Sequence, residues 1–339
     1  MAILRVKQKF RPSTAAAVLA AGTFAASWAG VFPSRWVEST YAGGLFPTIS
    51  HMAGLVSDAV PFSLLDLAIA AAVALAAYGI RARKGRILVA ALSGAYLWFF
   101  WTWGLNYHRM PLETKLALDR RSVSRGDVEA LARTAAAELN RLWPAVSNER
   151  WDKRAVAESA AARVRAVVSK IHDRDWPAAG RVKRSIFAEG WFRIAGVDGM
   201  FNPFGHEPVV ASGLLGFELP FVISHEFAHV RGVPDEGDAN LLALFATATS
   251  EAPSFQYSGW FHLWLYLRDP ERDEWLAQGP RRDLALFFER ARSQQIPWVS
   301  RLQATILDWH LRAHDVGDGV RSYSRFVTLA VAARRRGLM

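Results

Sequence analysis

The sequence predicts a mainly α-helical chain with a small β-sheet, an α+β protein in which N-terminal transmembrane helices precede a soluble, metal-ligating domain. Three observations predict it. Apolar stretches of membrane-spanning length are confined to the first third; amphipathic helices of ordinary charge density follow; and a glycine-broken, β-prone stretch stands just ahead of two histidines at helical spacing. Apolar residues make up 51% of the 339 and charged residues 21%, which places part of the chain in lipid. The 14 Trp and 20 Phe suit a large aromatic core as well as interfacial anchoring, so their position along the chain has to decide.

The first apolar stretch, about 15–32, carries no charge and follows a leader containing Arg5, Lys7, Lys9 and Arg11. The second, about 62–80, has Asp66 as its one charge, near an end; the third, about 87–107, is rich in Trp and Phe toward its exit. Arg81-Ala82-Arg83-Lys84-Gly85-Arg86 joins the last two as a tight turn, and its four positive charges mark it as cytoplasmic, as does the basic leader. The stretch 33–61 is much less basic and is expected as an outer loop. Residues 1–108 therefore form the expected membrane domain, with the lipid bilayer as partner, and residues 109–339 lie outside the cytoplasmic (inner) membrane. A cleaved signal peptide is the other reading of the first stretch, with small residues near Trp28, and it leaves this orientation unchanged. Buried helices of a soluble protein are the plainer alternative, disfavoured by the charge-free first stretch and the basic turn.

In the second half, Ser124 to Leu142 predicts a helix opened by Ser124 and Asp127 as a capping-box variant, and Trp151 to His172 a second with Ala and Val at helical spacing. Gly190, Gly196, Gly199, Pro203 and Gly205 then break up short β-prone runs, Trp191-Phe192-Arg193-Ile194 and Pro208-Val209-Val210, which predict a small sheet with a hairpin around Pro203 to Glu207. Helical periodicity returns at about Leu214, with turns near Gly232, Pro253 and Gly279.

The absence of cysteine excludes disulfide-linked partners, iron–sulfur clusters and thiol catalysis, so any metal must rest on His and carboxylates. The formal charge of +10 is scattered and concentrates beside apolar segments and at the C-terminus, so nucleic acid is not an expected partner. Against that background, His225-Glu226-Phe227-Ala228-His229 is an HExxH motif in an apolar, helix-compatible run. Residues i and i+4 project about 40° apart on one helical face, close enough for one Zn2+. Glu226, one residue after the first His, is placed to act as general base on the attacking water without ligating the metal.

Gly232 can end this helix and Glu236-Gly237-Asp238-Ala239-Asn240 begin a second that folds back on it. Glu236-x-x-Ala239-Asn240 resembles the ExxA pattern opening the second zinc helix of several gluzincin-like families. That comparison implies Glu236 as third ligand, with Asp238 and Asn240 as supports or alternative ligands. Core histidines with a buried ion pair are the plainer reading of the motif, and ordinary helix N-terminal charge that of the two acids. Tyr257 and His262 are candidate oxyanion donors, core or surface roles being the commoner fate of such residues. His206 reads as a turn residue, and Arg334-Arg335-Arg336 as a solvated tail or a headgroup contact.

Trp103-Gly104-Leu105-Asn106-Tyr107-His108-Arg109, Phe201-Asn202-Pro203-Phe204-Gly205, His225 to Gly232, Asp238-Ala239-Asn240, Phe255-Gln256-Tyr257-Ser258 and Gly319-Val320-Arg321-Ser322-Tyr323 together resemble a bacterial multi-pass membrane family of undetermined function, domain of unknown function 3810. In that pattern a Glu-Ala pair usually precedes the Asn matching Asn240, and here Asp238 takes the place of the Glu, which favours Glu236 as ligand. The resemblance supports a zincin-like metallohydrolase domain and implies no substrate. The expected function is a membrane-anchored zinc metallopeptidase acting on peptides or envelope proteins. A zinc-containing sensor or scaffold without turnover, and a hydrolase of non-protein envelope amides, are the alternatives.

Overall fold

The computed structural model describes residues 12–173, 175, 180–313 and 322–339; the basic leader through Arg11 and the Gly319-Val320-Arg321 segment lie outside them. The first third holds α1 (Pro12–Trp28), the short α2 (Ser34–Trp36), a π-helical stretch Val37–Leu45, α3 (Phe46–Asp58), α4 (Leu64–Arg81) and α5 (Gly85–Thr102). The 33–61 stretch expected as a loop is thus helical. Its pattern misleads because α3 is amphipathic in reverse: Phe46, Ser50, Gly54 and Ser57 face inward while Met52, Leu55 and Val56 are exposed. The polar inner side chains have built partners, Ser50 Oγ donating to the Val230 carbonyl at 3.2 Å and Ser57 Oγ to the Glu207 carboxylate at 2.5 Å.

α4 is long and apolar enough to cross a membrane, and little of it is covered by protein. It turns back into α5 with Gly79 against Leu88, where a Cβ would meet the leucine side chain at 2.6 Å. α1 packs on α5 in parallel: Phe24 meets Tyr96, Phe32 meets Phe100, and Ser27 Oγ is 2.8 Å from His108 Nε2.

After α6 (Leu112–Lys115) come α7 (Arg125–Val146) and α8 (Lys153–His172). α7 has its expected capping box, with Ser124 N–H donating to Asp127 at 2.8 Å and Asp127 N–H to Ser124 Oγ, and Asp152 caps α8. The run read as β-prone at Trp191 instead belongs to α9 (Ala188–Ala195). Ala188, Phe192 and Ala195 recur at helical spacing toward an inner cluster, and Gly196, at φ +73°, ends the helix in the left-handed region. β1 (Gly199–Asn202) and β2 (Glu207–Val210) form the antiparallel hairpin, with Gly199 opposite Val210 and Asn202 opposite Glu207.

Then follow α10 (Leu219–Val230), α11 (Glu236–Ala248), α12 (Pro253–Leu267), α13 (Gln278–Gln294), α14 (Pro297–Ala313) and α15 (Ser322–Arg335). α10 is enclosed by α8, α11, α12 and the hairpin. One apolar core joins Val37, Phe46, Phe100 and Trp103 to Phe227, Leu244, Trp264 and Phe326, so residues on both sides of position 108 share it.

Candidate metal centre

The site is made by two helices and the turn between them. Pro220 stands in the first turn of α10, where its missing N–H costs nothing, and Gly232 ends the helix at φ +73°. Glycine is required there twice over, because a Cβ would also lie 2.6 Å from Asn106 Oδ1. Asp235 then caps α11 by accepting the Asp238 N–H at 2.8 Å, which brings Glu236, in the first turn, over the two histidines.

His225 Nε2 and His229 Nε2 face each other at 3.0 Å, with Glu236 oxygens 3.1 Å from the first and 3.8 Å from the second. Each ring is fixed from behind. His225 Nδ1 donates to Asn240 Oδ1 at 2.9 Å and His229 Nδ1 to the Val233 carbonyl at 2.6 Å, so both present Nε2 to one point. His225, His229 and Glu236 form a group able to hold a metal ion. Two imidazole nitrogens and a carboxylate are a donor set that suits zinc.

The charges there are strongly coupled to burial. Burial raises the Glu236 carboxyl, but the charge of His229 and the hydrogen bonds from both histidines overcome this and hold it well below the usual carboxylate range. For His229 burial works against charge, yet the field of Glu236 lifts the ring to about 9. Glu226 is pushed up to about 7, chiefly by burial against the opposing fields of the histidines. Its Oε2 is buried without a hydrogen-bond partner. The carboxylate lies against β1, where a Cβ on Gly199 would meet Glu226 Oε1 at 2.6 Å. Among the described residues β1 pairs only with β2, which carries an isolated bridge to Lys183 on its other side. Arg290 ties this strand to α10, bonding Asp198 at 3.0 Å and Glu218, just before α10, at 2.5 Å.

Asn240 therefore supports the group as a ring-orienting acceptor. Asp238 is engaged elsewhere: it accepts the Leu112 N–H at 2.9 Å and pairs with Arg325 at 3.1 Å. The two expected oxyanion donors each have a partner of their own. Tyr257 donates to Asp283 at 2.7 Å, in a separate cluster with Trp143. His262 stacks on Phe221, and its Nδ1 donates to the Ser258 carbonyl at 3.0 Å. Burial holds the ring at about 4, so in this tautomer Nε2 is an acceptor. Two phenols absent from the sequence-based candidates, Tyr266 and Tyr107, lie in the field of Glu236, and Tyr266 also lies against Asn240.

A family model described as "Protein of unknown function (DUF3810)" matches residues 41–331. The chain belongs to this family. No curated protein and no solved structure matches it. The DUF3810 match spans α3 through most of α15, so it takes in α4, α5, the hairpin and every residue of the metal-ligating group.

Proposed function

We propose that this DUF3810 chain is a membrane-anchored, zinc-dependent metallopeptidase of gluzincin-like design that acts on the outer side of the cytoplasmic membrane. The observation that carries the reading is the convergence of His225 Nε2, His229 Nε2 and Glu236 beside Glu226, a buried carboxylate with an unpartnered oxygen. A site that only bound zinc would have no use for that carboxylate. His225, His229 and Glu236 would hold the zinc, which would supply Lewis acidity for amide hydrolysis. Glu226 takes the proton from the water and delivers it to the leaving amine. Tyr266 donates to the oxyanion as it develops, and the outer edge of β1 pairs with an extended substrate backbone beside Glu226.

The membrane reading has α1, α4 and α5 as spans. Arg81, Arg83, Lys84 and Arg86 mark one end of the α4–α5 hairpin. Exposed Trp28, Trp98 and Trp101 belong to the other, as basic inner turns and interfacial aromatic belts require. α3 adds support, since a small, polar inner face and an apolar outer face suit a helix against lipid. Trp103 Nε1 donates to the His229 carbonyl at 3.1 Å, directly after the end of α5, which with α5 as a span supports a site at the membrane surface. Substrates on this reading are envelope peptides close to the bilayer.

Metal analysis of detergent-purified protein should find about one zinc per chain. Glu226→Gln should keep it while hydrolysis falls by roughly two to four orders of magnitude. Comparing cleaved envelope proteins between wild type and Glu226→Gln identifies the substrate. No zinc after reconstitution, with His225→Ala indistinguishable from wild type, would remove the site. Zinc present with identical envelope peptides in both strains would remove the peptidase reading.

A further inference from the structure

At the outer end of α4, Asp66 in the first turn accepts hydrogen bonds from Ser185 Oγ at 2.5 Å, Ile186 N–H at 2.9 Å and Phe187 N–H at 3.1 Å. Residues 185–187 are thereby pinned at the level where α4 begins. Ile186 and Phe187 are nonetheless 78% and 59% exposed, and Trp191 follows on the outside of α9. α14 packs on α9, linked by the Ile296 N–H to the Ile194 carbonyl at 2.9 Å, and turns Trp298 (63% exposed) and Leu302 outward. Exposed Arg184, Arg193 and Arg301 border the patch. The nearby acid, Glu189, is occupied by Ser212 at 2.9 Å.

We propose that the start of α9 and the first turns of α14 are a second, monotopic membrane contact, seated at the headgroup boundary of the leaflet that α4 enters. This inference rests on the reading of α4 as a span. Leaving such aromatic and aliphatic area in water costs about 25 cal/mol per Å2, and here it continues onto exposed Leu67 of α4. Trp and Phe with flanking Arg are the composition of a segment lying in an anionic interface. Its occupant is therefore lipid. Because β1 begins three residues after Gly196, seating α9 also holds the free strand edge at the membrane surface.

The 339-residue chain has no cysteine, so single-cysteine variants of it need no altered background. Phe187→Cys and Trp298→Cys are spin-labelled in nanodiscs containing anionic lipid, with Leu75→Cys within α4 and Arg141→Cys on α7 as references. Depth is read from relative access of oxygen and of a water-soluble nickel chelate. The expected result places 75 in the hydrocarbon, 141 in water, and 187 and 298 about 5–10 Å into the headgroup boundary. Labels 187 and 298 as wet as 141, with 75 deep, overturn the contact and leave the span standing. Label 75 in water overturns both. Labels shielded from both reagents, increasingly so at higher protein-to-lipid ratio, assign the patch to a second copy and overturn the lipid contact.

Discussion

Glu236 and Asp238 stand two residues apart at the start of α11, and their partners separate their roles. Glu236 faces two imidazoles, whereas Asp238 faces the Leu112 N–H and the Arg325 guanidinium. Glu236→Gln removes a charged ligand and should weaken zinc binding by more than about 100-fold, beyond what loss of an orienting partner does. Asp238→Asn should leave zinc affinity nearly unchanged and cost about 1–3 kcal/mol of stability through the broken Arg325 pair and strained Leu112 contact. Chelator competition and thermal unfolding in detergent separate the two, and the opposite pattern would exchange the roles of the two acids. The motif made His225, Glu226 and His229 legible, and the resemblance to the ExxA pattern brought in Glu236. The tyrosine was not legible, because no pattern in α12 says which face turns toward α10. Nine residues separate Tyr257 from Tyr266, which puts them on opposite faces, while His262 lies one turn from Tyr266.

Between elements, the hairpin and α10 are fitted at Gly199. The sequence marked this glycine as a strand breaker, whereas its structural role is the close approach of the Glu226 carboxylate. Gly199→Ala should displace the Glu226 side chain, since the new Cβ would meet Oε1 at 2.6 Å, Cγ at 2.9 Å and Cδ at 3.0 Å. Because Cγ of this buried side chain must give way along with the carboxylate, folding is destabilised too, and activity of the folded protein should fall by roughly one to two orders of magnitude since the base is misplaced. Unchanged turnover would show that Glu226 tolerates displacement and is not the base. The turn of the same hairpin carries His206 at φ +49°, fully buried against Phe46 and Phe201, with neither ring nitrogen bonded. Burial holds it at about 4. A histidine with a lowered folded pKa takes up its proton first in the unfolded chain. Its contribution to stability is therefore lost as pH falls from about 6.5 toward 4, about 3 kcal/mol in all. His206→Asn keeps a residue tolerant of the left-handed turn and should flatten that acid limb of the melting-temperature profile. An equally steep limb would assign the loss to other groups. α9 was misread for a related reason: Trp, Phe and Ile favour strands locally, but Ala188 and Phe192 packing against Val209 and Ala211 selects the helix.

At the scale of the whole molecule, the apolar segments and the soluble half were legible as separate stretches, but their mutual packing was not. Composition changes near residue 108, whereas the packing crosses it. Glu207 in the hairpin gathers Ser57 Oγ, Ser63 Oγ, the Leu65 N–H and Asn202 Nδ2 at 2.5 to 3.1 Å, locking the α3–α4 turn to the sheet. These bonds join residues 57–65 to residue 207 through side chains whose partners no local pattern reveals. They also constrain topology. The hairpin and α10 are attached to the start of α4 and the end of α5, so the site must lie on the side opposite the Arg81 to Arg86 turn. With that turn cytoplasmic, a reporter fused at Gly85 should report the cytoplasm and one at the C-terminus the outer compartment. Moving both Arg83 and Lys84 to Gln should weaken the bias without altering the packing, since both are exposed and remote from the hairpin. A C-terminal reporter on the same side as Gly85 would break the rigid link between charge rule and site, and with it the outward-facing peptidase.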